Sequence, residues 1–306
     1  MKVVPEVSLS RGVMLLDGGM GQELRRRGVQ GTNTLWSAYA LISAPDIVQA
    51  VHEDYIKAGA NIITTNTYAT IRRRLVSAGI ENQFASLNQL AGELACQARE
   101  ARGRDVLIAG SLPPLRGSYR PDLVGSFDEI EPLYREQAEL LAPYVDILLC
   151  ETMSSGEESR AAVTGAAVVG KPVWVAWTLE DGGATRLRSG ETIAEAVAML
   201  DGLPVSAFLV NCCAPESITA AMPKLAALGS WPVGGYANGF VGIPDKWLFS
   251  DDVPTPDVRK DLDPVTYASH VKNWISSGAR IVGGCCEVGP DHILRLRGLI
   301  DAALQS

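Results

Sequence analysis

Eight short apolar runs recur along the chain, each followed by a polar or glycine-rich break and then a helix-like segment. They are Val13–Leu16, Asn61–Thr65, Val106–Gly110, Val145–Cys150, Val173–Thr178, Ala207–Asn211, Pro232–Tyr236 and Arg280–Gly283. Runs such as VDILLC, VWVAW and AFLVN are continuous rather than alternating, the pattern of strands covered on both faces. Between them, SAPDIVQAVHEDYIKAG, SFDEIEPLYREQAELLAPY and SGETIAEAVAMLDGL carry helix start signals, apolar spacing of three to four and a stop. DPVTYASHVKNWISSGA and PDHILRLRGLIDAAL read the same way. Eight strands alternating with helices predict an α/β chain folded as one (β/α)8 TIM barrel, with a doubly wound open sheet as the competing arrangement. No shift in composition divides residues 1–306, so a single domain is expected. The one long irregular stretch, Asn238–Asp263, follows the seventh strand, at the rim where a barrel keeps its active site.

Composition removes several classes of function. A net charge of −8 argues against non-specific nucleic-acid binding, which needs a basic surface. No run approaches the ~20 apolar residues that span a bilayer. The N-terminal MKVVPEVSLSRG has no apolar signal core, so the expected location is cytoplasmic and no membrane partner is expected. The cysteines, Cys96, Cys150, Cys212, Cys213, Cys285 and Cys286, should then be thiols, metal ligands or reactive groups rather than disulfides.

Position narrows this further, because catalytic side chains of such barrels sit at the C-terminal ends of strands. Asp17-Gly18-Gly19 follows strand one; Thr65, Asn66 and Tyr68 follow strand two; Ser111 follows strand three and Glu151 strand four. Asn211 and Cys212 end strand six, and Cys285-Cys286 follow strand eight. Three thiolates with an open fourth position suit catalytic zinc, and they leave a coordinated substrate thiol deprotonated and electron-rich. The paired glycines of GGCC are expected to let the backbone bend so that both sulfurs face one point. Cys96 and Cys150 read as core thiols. Cys213 receives no ligand role.

Asp17 and Glu151 on one rim could clamp an ammonium group, with backbone N–H groups of Gly18 and Gly19 meeting a carboxylate. Asn66, Tyr68 and Asn238 are further polar candidates. His52, His270 and His292 fall in helices away from the rim, and no HExxH, GxGxxG or Walker pattern occurs. A metal-storage or redox-sensing site uses the same cysteines but needs no ammonium clamp. A structural zinc site needs a fourth ligand, for which only Cys213 is near in sequence.

DGGMGQEL at Asp17–Leu24, ITTNTYAT at Ile63–Thr70, ETM at Glu151–Met153, LVNCCAP at Leu209–Pro215, GYANG at Gly235–Gly239 and GARIVGGCC at Gly278–Cys286 together resemble the homocysteine S-methyltransferases. This family includes betaine–homocysteine methyltransferase and the N-terminal module of cobalamin-dependent methionine synthase. The resemblance implies a (β/α)8 barrel and Zn2+ on Cys212, Cys285 and Cys286. It implies that the thiol of homocysteine attacks a methyl group to give methionine, with the amino-acid end held at Asp17, the following glycines and Glu151. Two stretches depart from the family pattern: Cys213 beside the first ligand, and SLPPLRGSYRPDL at Ser111–Leu123, which faces the donor question. No folate or cobalamin module fits beside such a barrel, so a small activated donor is expected, S-methylmethionine or S-adenosylmethionine first. A betaine-like donor, or another small thiol or selenol acceptor, is the alternative. Trp36, Tyr68 and Trp247 are aromatic candidates for an onium cation. The sequence leaves the oligomeric state open.

Overall fold

The computed structural model describes residues 12–32, 34–102, 105–183, 185–244, 246–248 and 253–304. Residues 1–11 of the MKVVPEVSLSRG stretch, and part of the 238–263 loop, lie outside them. Eight parallel strands, β1 (Met14–Leu15), β2 (Ile62–Thr64), β3 (Leu107–Leu112), β4 (Ile147–Met153), β5 (Val173–Trp177), β6 (Val205–Asn211), β7 (Val233–Ala237) and β8 (Ile281–Gly284), run in the order β1-β8-β7-β6-β5-β4-β3-β2. A parallel bridge from Leu16 to Ile62 joins the ends. The N–H of Asn61 donates to Leu15 O at 2.7 Å and that of Asp17 to Ile62 O at 3.0 Å, closing the (β/α)8 barrel. The expected barrel is therefore observed, and the open sheet is not.

Both faces of the strands are dry, which is why their sequences are continuous apolar runs. Ile147 and Leu149 of β4 point into the barrel with Leu16, Ile62, Trp174, Leu209 and Ile281. Leu148 and Cys150 point outward into the helix-covered layer. Glu151 continues the inward phase, because side chains alternate along a strand. It was expected just beyond the fourth strand; instead β4 extends through it to Met153, and Ser111 likewise lies within β3. The helix expected in SGETIAEAVAMLDGL is short, Ile193–Ala198, capped by Thr192 and Glu195. Its flank is held by antiparallel bridges Leu179–Leu187 and Arg186–Thr192.

The described part of the loop after β7 is not a solvent-exposed insertion. Phe240 bridges Val258, and Phe240, Ile243 and Trp247 pack with Tyr119 and Cys212 over the C-terminal mouth of the barrel. Among the described residues, no helix is long and apolar enough to cross a membrane.

His52, in the helix Pro45–Ala58, is fully buried and neither ring nitrogen has a hydrogen-bond partner. Burial pulls its pKa down to about 4. Since the folded value lies below the unfolded one, the stability cost is absent above pH 6.5 and grows as pH falls towards 4, to about 3 kcal/mol. His52→Leu should flatten this acid limb. Urea unfolding at pH 7 and 4.5 should show the variant gaining about 2–3 kcal/mol on the wild type between the two; equal pH dependence would show that His52 is not the titrating group.

Candidate active site

At the C-terminal mouth, left-handed backbone conformations bring together groups that are far apart in sequence. Thr152 (φ 61°), Cys212 (φ 49°) and Glu287 (φ 68°) directly follow, carry or adjoin the expected site residues. Non-glycine residues adopt this region at a cost that surrounding contacts must sustain. Those contacts are visible. The amide of Asn211 accepts from Thr152 N and donates to Thr152 Oγ1, both at 2.9 Å, stapling the end of β4 to that of β6. The carbonyl of Cys212 accepts from Asn238 Nδ2 at 2.9 Å and Thr178 Oγ1 at 3.2 Å.

The turn at Cys212 separates the vicinal pair. Cys212 enters the mouth, while Cys213 faces the outer core, where burial pushes its thiol up to about 12. The sulfurs of Cys212, Cys285 and Cys286 lie within 4.8 Å of one another, and no other such group of possible ligands occurs among the described residues. Cys285 donates to Cys212 Sγ at 2.8 Å, and the Tyr119 hydroxyl lies 3.0 Å from the same sulfur. Donation from Cys285 and Cys286 holds the Cys212 thiol well below its usual range, so negative charge gathers there. Three soft sulfur donors grouped this closely are the kind of ligand set zinc takes, with a fourth position left over. Cys213 is not available as a fourth protein ligand, which removes the structural-zinc reading.

The glycines serve close approach rather than bending. Neither Gly283 nor Gly284 has positive φ; a Cβ on Gly284 would meet Val288 Cγ1 at 2.0 Å. A Cβ on Gly19 would meet Cys285 O at 2.7 Å, so the Asp17-Gly18-Gly19 turn lies directly against the cysteine loop. Gly19 N–H donates to Val288 O at 2.9 Å, so this one of the two expected carboxylate donors is already engaged.

A cavity of about 100 Å³ is lined by Asp17, Glu151, Tyr68, Asn66, Gly18 and Gly19 together with the three cysteines. Asp17 accepts from Thr64 N at 2.7 Å and Thr64 Oγ1 at 3.0 Å. Glu151 accepts from Ser111 Oγ and, at 3.1 Å, from the Tyr236 hydroxyl. Burial pushes both carboxyls up to about 7; the charge on Glu151 adds to the rise at Asp17, and that of Cys212 to the rise at Glu151. Two buried carboxylates without a cation are poorly solvated, and an ammonium group is the natural complement.

Asn66 donates to Ser37 O at 3.0 Å while lining the cavity, and the Tyr68 hydroxyl lies 2.7 Å from Ser118 Oγ. Asn238 lies behind Cys212 and holds it in place, rather than lining the cavity. Trp36 lines the cavity with the Arg25 guanidinium 4.5 Å over its ring, and Trp247 packs on Tyr119 with ring centroids 5.9 Å apart. Tyr119, Tyr236 and the hydroxyl of Ser111 as a Glu151 partner are the contributors that the sequence pattern did not identify. The three histidines lie outside the cavity lining, as expected.

The sequence profile described as homocysteine S-methyltransferase matches residues 14–300. The chain is 31% identical to a homocysteine S-methyltransferase of Escherichia coli (strain K12), over 93% of this chain and 94% of that one. It is 28% identical to a selenocysteine Se-methyltransferase of Brassica oleracea var. italica, over 92% and 87%. The crystal structure of the Escherichia coli homocysteine methyltransferase MmuM in its metallated form superposes with a TM-score of 0.80 at 31% identity, covering 94% of this chain and 96% of that one.

Proposed function

This chain belongs to the homocysteine S-methyltransferase family, and from that premise we propose that it transfers a methyl group from a small onium donor to the thiol of L-homocysteine, giving methionine. The observation that carries the reading is the lining of one small cavity by three clustered cysteine sulfurs and two buried carboxylates. The thiolates suit a thiol substrate and the carboxylates its ammonium group.

Cys212, Cys285 and Cys286 would hold the zinc ion, which supplies a substrate sulfur deprotonated at neutral pH yet still nucleophilic. A free thiol, with a pKa near 8.5, is only a few per cent ionised there. Asp17 and Glu151 fix the amino-acid end, with Thr64, Ser111 and Tyr236 orienting their oxygens. The homocysteine sulfur forms a bond to the methyl carbon. The bond from that carbon to the donor heteroatom breaks, and its electron pair leaves with a now neutral thioether or amine. Alignment of the three atoms is the main demand on the protein.

Methionine formation from homocysteine with S-methylmethionine, S-adenosylmethionine and betaine is the direct test. Turnover is expected with a sulfonium donor, S-methylmethionine foremost, and with about one zinc per chain. Full activity in zinc-free protein, or no turnover with any donor, would refute the reading. The selenocysteine Se-methyltransferase among the relatives supports a second acceptor class, so selenocysteine belongs in the assay as a competitor. The free thiols suit a reducing compartment, which supports a cytoplasmic location.

A further inference from the structure

The three sulfurs of the cluster are not equivalent. Cys212 Sγ has the Tyr119 hydroxyl at 3.0 Å and Asn238 Nδ2 at 3.9 Å, besides the thiol of Cys285 at 2.8 Å. Among the described residues, no side chain other than a cysteine hydrogen-bonds Cys285 or Cys286. Cys212 is also the buried member of the three, packed with Tyr119, Phe240, Ile243 and Trp247, whereas Cys285 and Cys286 are half-buried. The Tyr119 hydroxyl has no part in the bond changes of methyl transfer, so its placement on one ligand sulfur needs another reason.

That placement is held from several sides. Tyr119 has φ 65°, a conformation that a residue other than glycine keeps only where contacts sustain it. Its neighbours in sequence are both tied: Ser118 Oγ lies 2.7 Å from the Tyr68 hydroxyl, and Arg120 donates to Lys246 O at 2.9 Å. Its ring is flanked by Trp247, with centroids 5.9 Å apart, and by the Arg188 guanidinium, 5.2 Å from the ring centroid. Both flanks are themselves fixed. Trp247 Nε1 donates to Pro254 O at 3.0 Å; Arg188 pairs with Asp181 at 3.0 Å, and Asp181 accepts from Ile243 N, also at 3.0 Å. The hydroxyl is thus kept on Cys212 instead of turning to solvent. A cation attracted to the face of a phenol ring also withdraws density from it, which makes the hydroxyl a stronger donor.

We propose that Tyr119 is a positioning residue for the metal centre: its hydroxyl donates to Cys212 and draws charge off that one sulfur, so that the cluster binds an incoming substrate thiolate more firmly. Cys212 carries no proton when it ligates an ion, so the hydroxyl is the donor and the thiolate the acceptor. A sulfur that has lent electron density to a hydrogen bond gives less of it to the ion, and the deficit is made up by the ligand in the fourth position. Cys285 and Cys286, without such a partner, keep their full donor strength. The methyl-transfer reading enters only through the identity of that fourth ligand, the homocysteine thiol.

Tyr119→Phe removes the hydroxyl and keeps the ring between its two flanks. In zinc-loaded protein it should weaken calorimetric binding of homocysteine about threefold to tenfold, as loss of one hydrogen bond does. Binding of methionine, which brings no thiolate to the metal, should stay within about twofold of wild type. In turnover the loss should fall on KM for homocysteine and leave kcat undiminished. With Co2+ in place of zinc and no amino acid present, the sulfur-to-cobalt charge-transfer band should lie at longer wavelength in the variant than in wild type. A thiolate relieved of its hydrogen bond gives up electron density more easily. An unshifted band, or equal weakening of homocysteine and methionine, would overturn the proposal; the latter would make Tyr119 a part of the cavity wall and nothing more. If wild type bound neither amino acid, the methyl-transfer reading would fail, and the cobalt band alone would decide the role of the hydroxyl.

Discussion

Serine at Cys285 or Cys286 is expected to strip the purified protein of zinc and to lower methionine formation at least about 10³-fold. A hydroxyl is neither soft nor ionised at neutral pH, and tetrahedral thiolate sites owe their affinity to all their sulfurs at once. Both cysteines are only partly buried, so the exchange of sulfur for oxygen leaves little packing to lose. The loop that carries them is held by backbone contacts that do not involve the sulfurs: Gly284 N donates to Asp17 O at 2.9 Å, Gly239 N to Cys286 O at 2.9 Å and Val288 N to Cys285 O at 3.1 Å. Metal analysis beside circular dichroism should therefore show a folded, zinc-poor protein. Its melting point should match that of chelator-treated wild type, because the only stability lost is that contributed by the bound ion. Cys213→Ala is the internal contrast, since Cys213 lies in the outer core and should leave the metal in place. A serine variant with wild-type zinc and activity would show that the cluster is not the reaction centre.

The barrel was legible because burial on both faces leaves no polar phase in its strands, and the eight apolar runs each correspond to an observed strand. Cys212 and Glu151 were legible for a related reason: a thiol or carboxylate ending such a run cannot be solvated cheaply and calls for a partner. Tyr236 was missed because an aromatic inside a predicted strand reads as core. Its inward phase, shared with Ile281 on the neighbouring strand, is visible only once register is known. Tyr119 left no periodic signal at all, being a positive-φ residue in an irregular segment that meets Cys212 across 93 positions of sequence. The glycines of GGCC were identified as necessary but for the wrong cause. Chain bending is a local property that sequence suggests; the approach of Val288 to Gly284 is tertiary.

Glutamine at Glu151 is expected to make the protein more stable and a worse enzyme. Burial raises the Glu151 carboxyl to about 7, above its value in the unfolded chain. A carboxyl shifted in this direction stabilises the fold while protonated and costs stability as pH rises through the folded pKa. At pH 8 the ligand-free protein therefore bears an ionised, buried carboxylate beside Asp17 and the sulfur cluster. The neutral amide removes that cost, its oxygen accepting from one of the Ser111 and Tyr236 hydroxyls and its NH2 donating to the other. Urea unfolding at pH 8 should show the variant about 1–3 kcal/mol more stable, with the advantage vanishing towards pH 5. Homocysteine loses one of two charges about its ammonium group, and its affinity should fall by about 2–4 kcal/mol, on the order of 10²-fold, with zinc retained. Ligand affinity in the wild type should rise with pH through about 7 and level off, as the two carboxyls ionise. Methionine, which has no thiol proton to lose, separates this titration from that of the substrate sulfur. In the variant only Asp17 remains, without the repulsion of Glu151, and the inflection should move to lower pH. Zinc loss on substitution would mean that Glu151 supports the metal rather than the substrate; an unchanged affinity for homocysteine would place the ammonium group elsewhere.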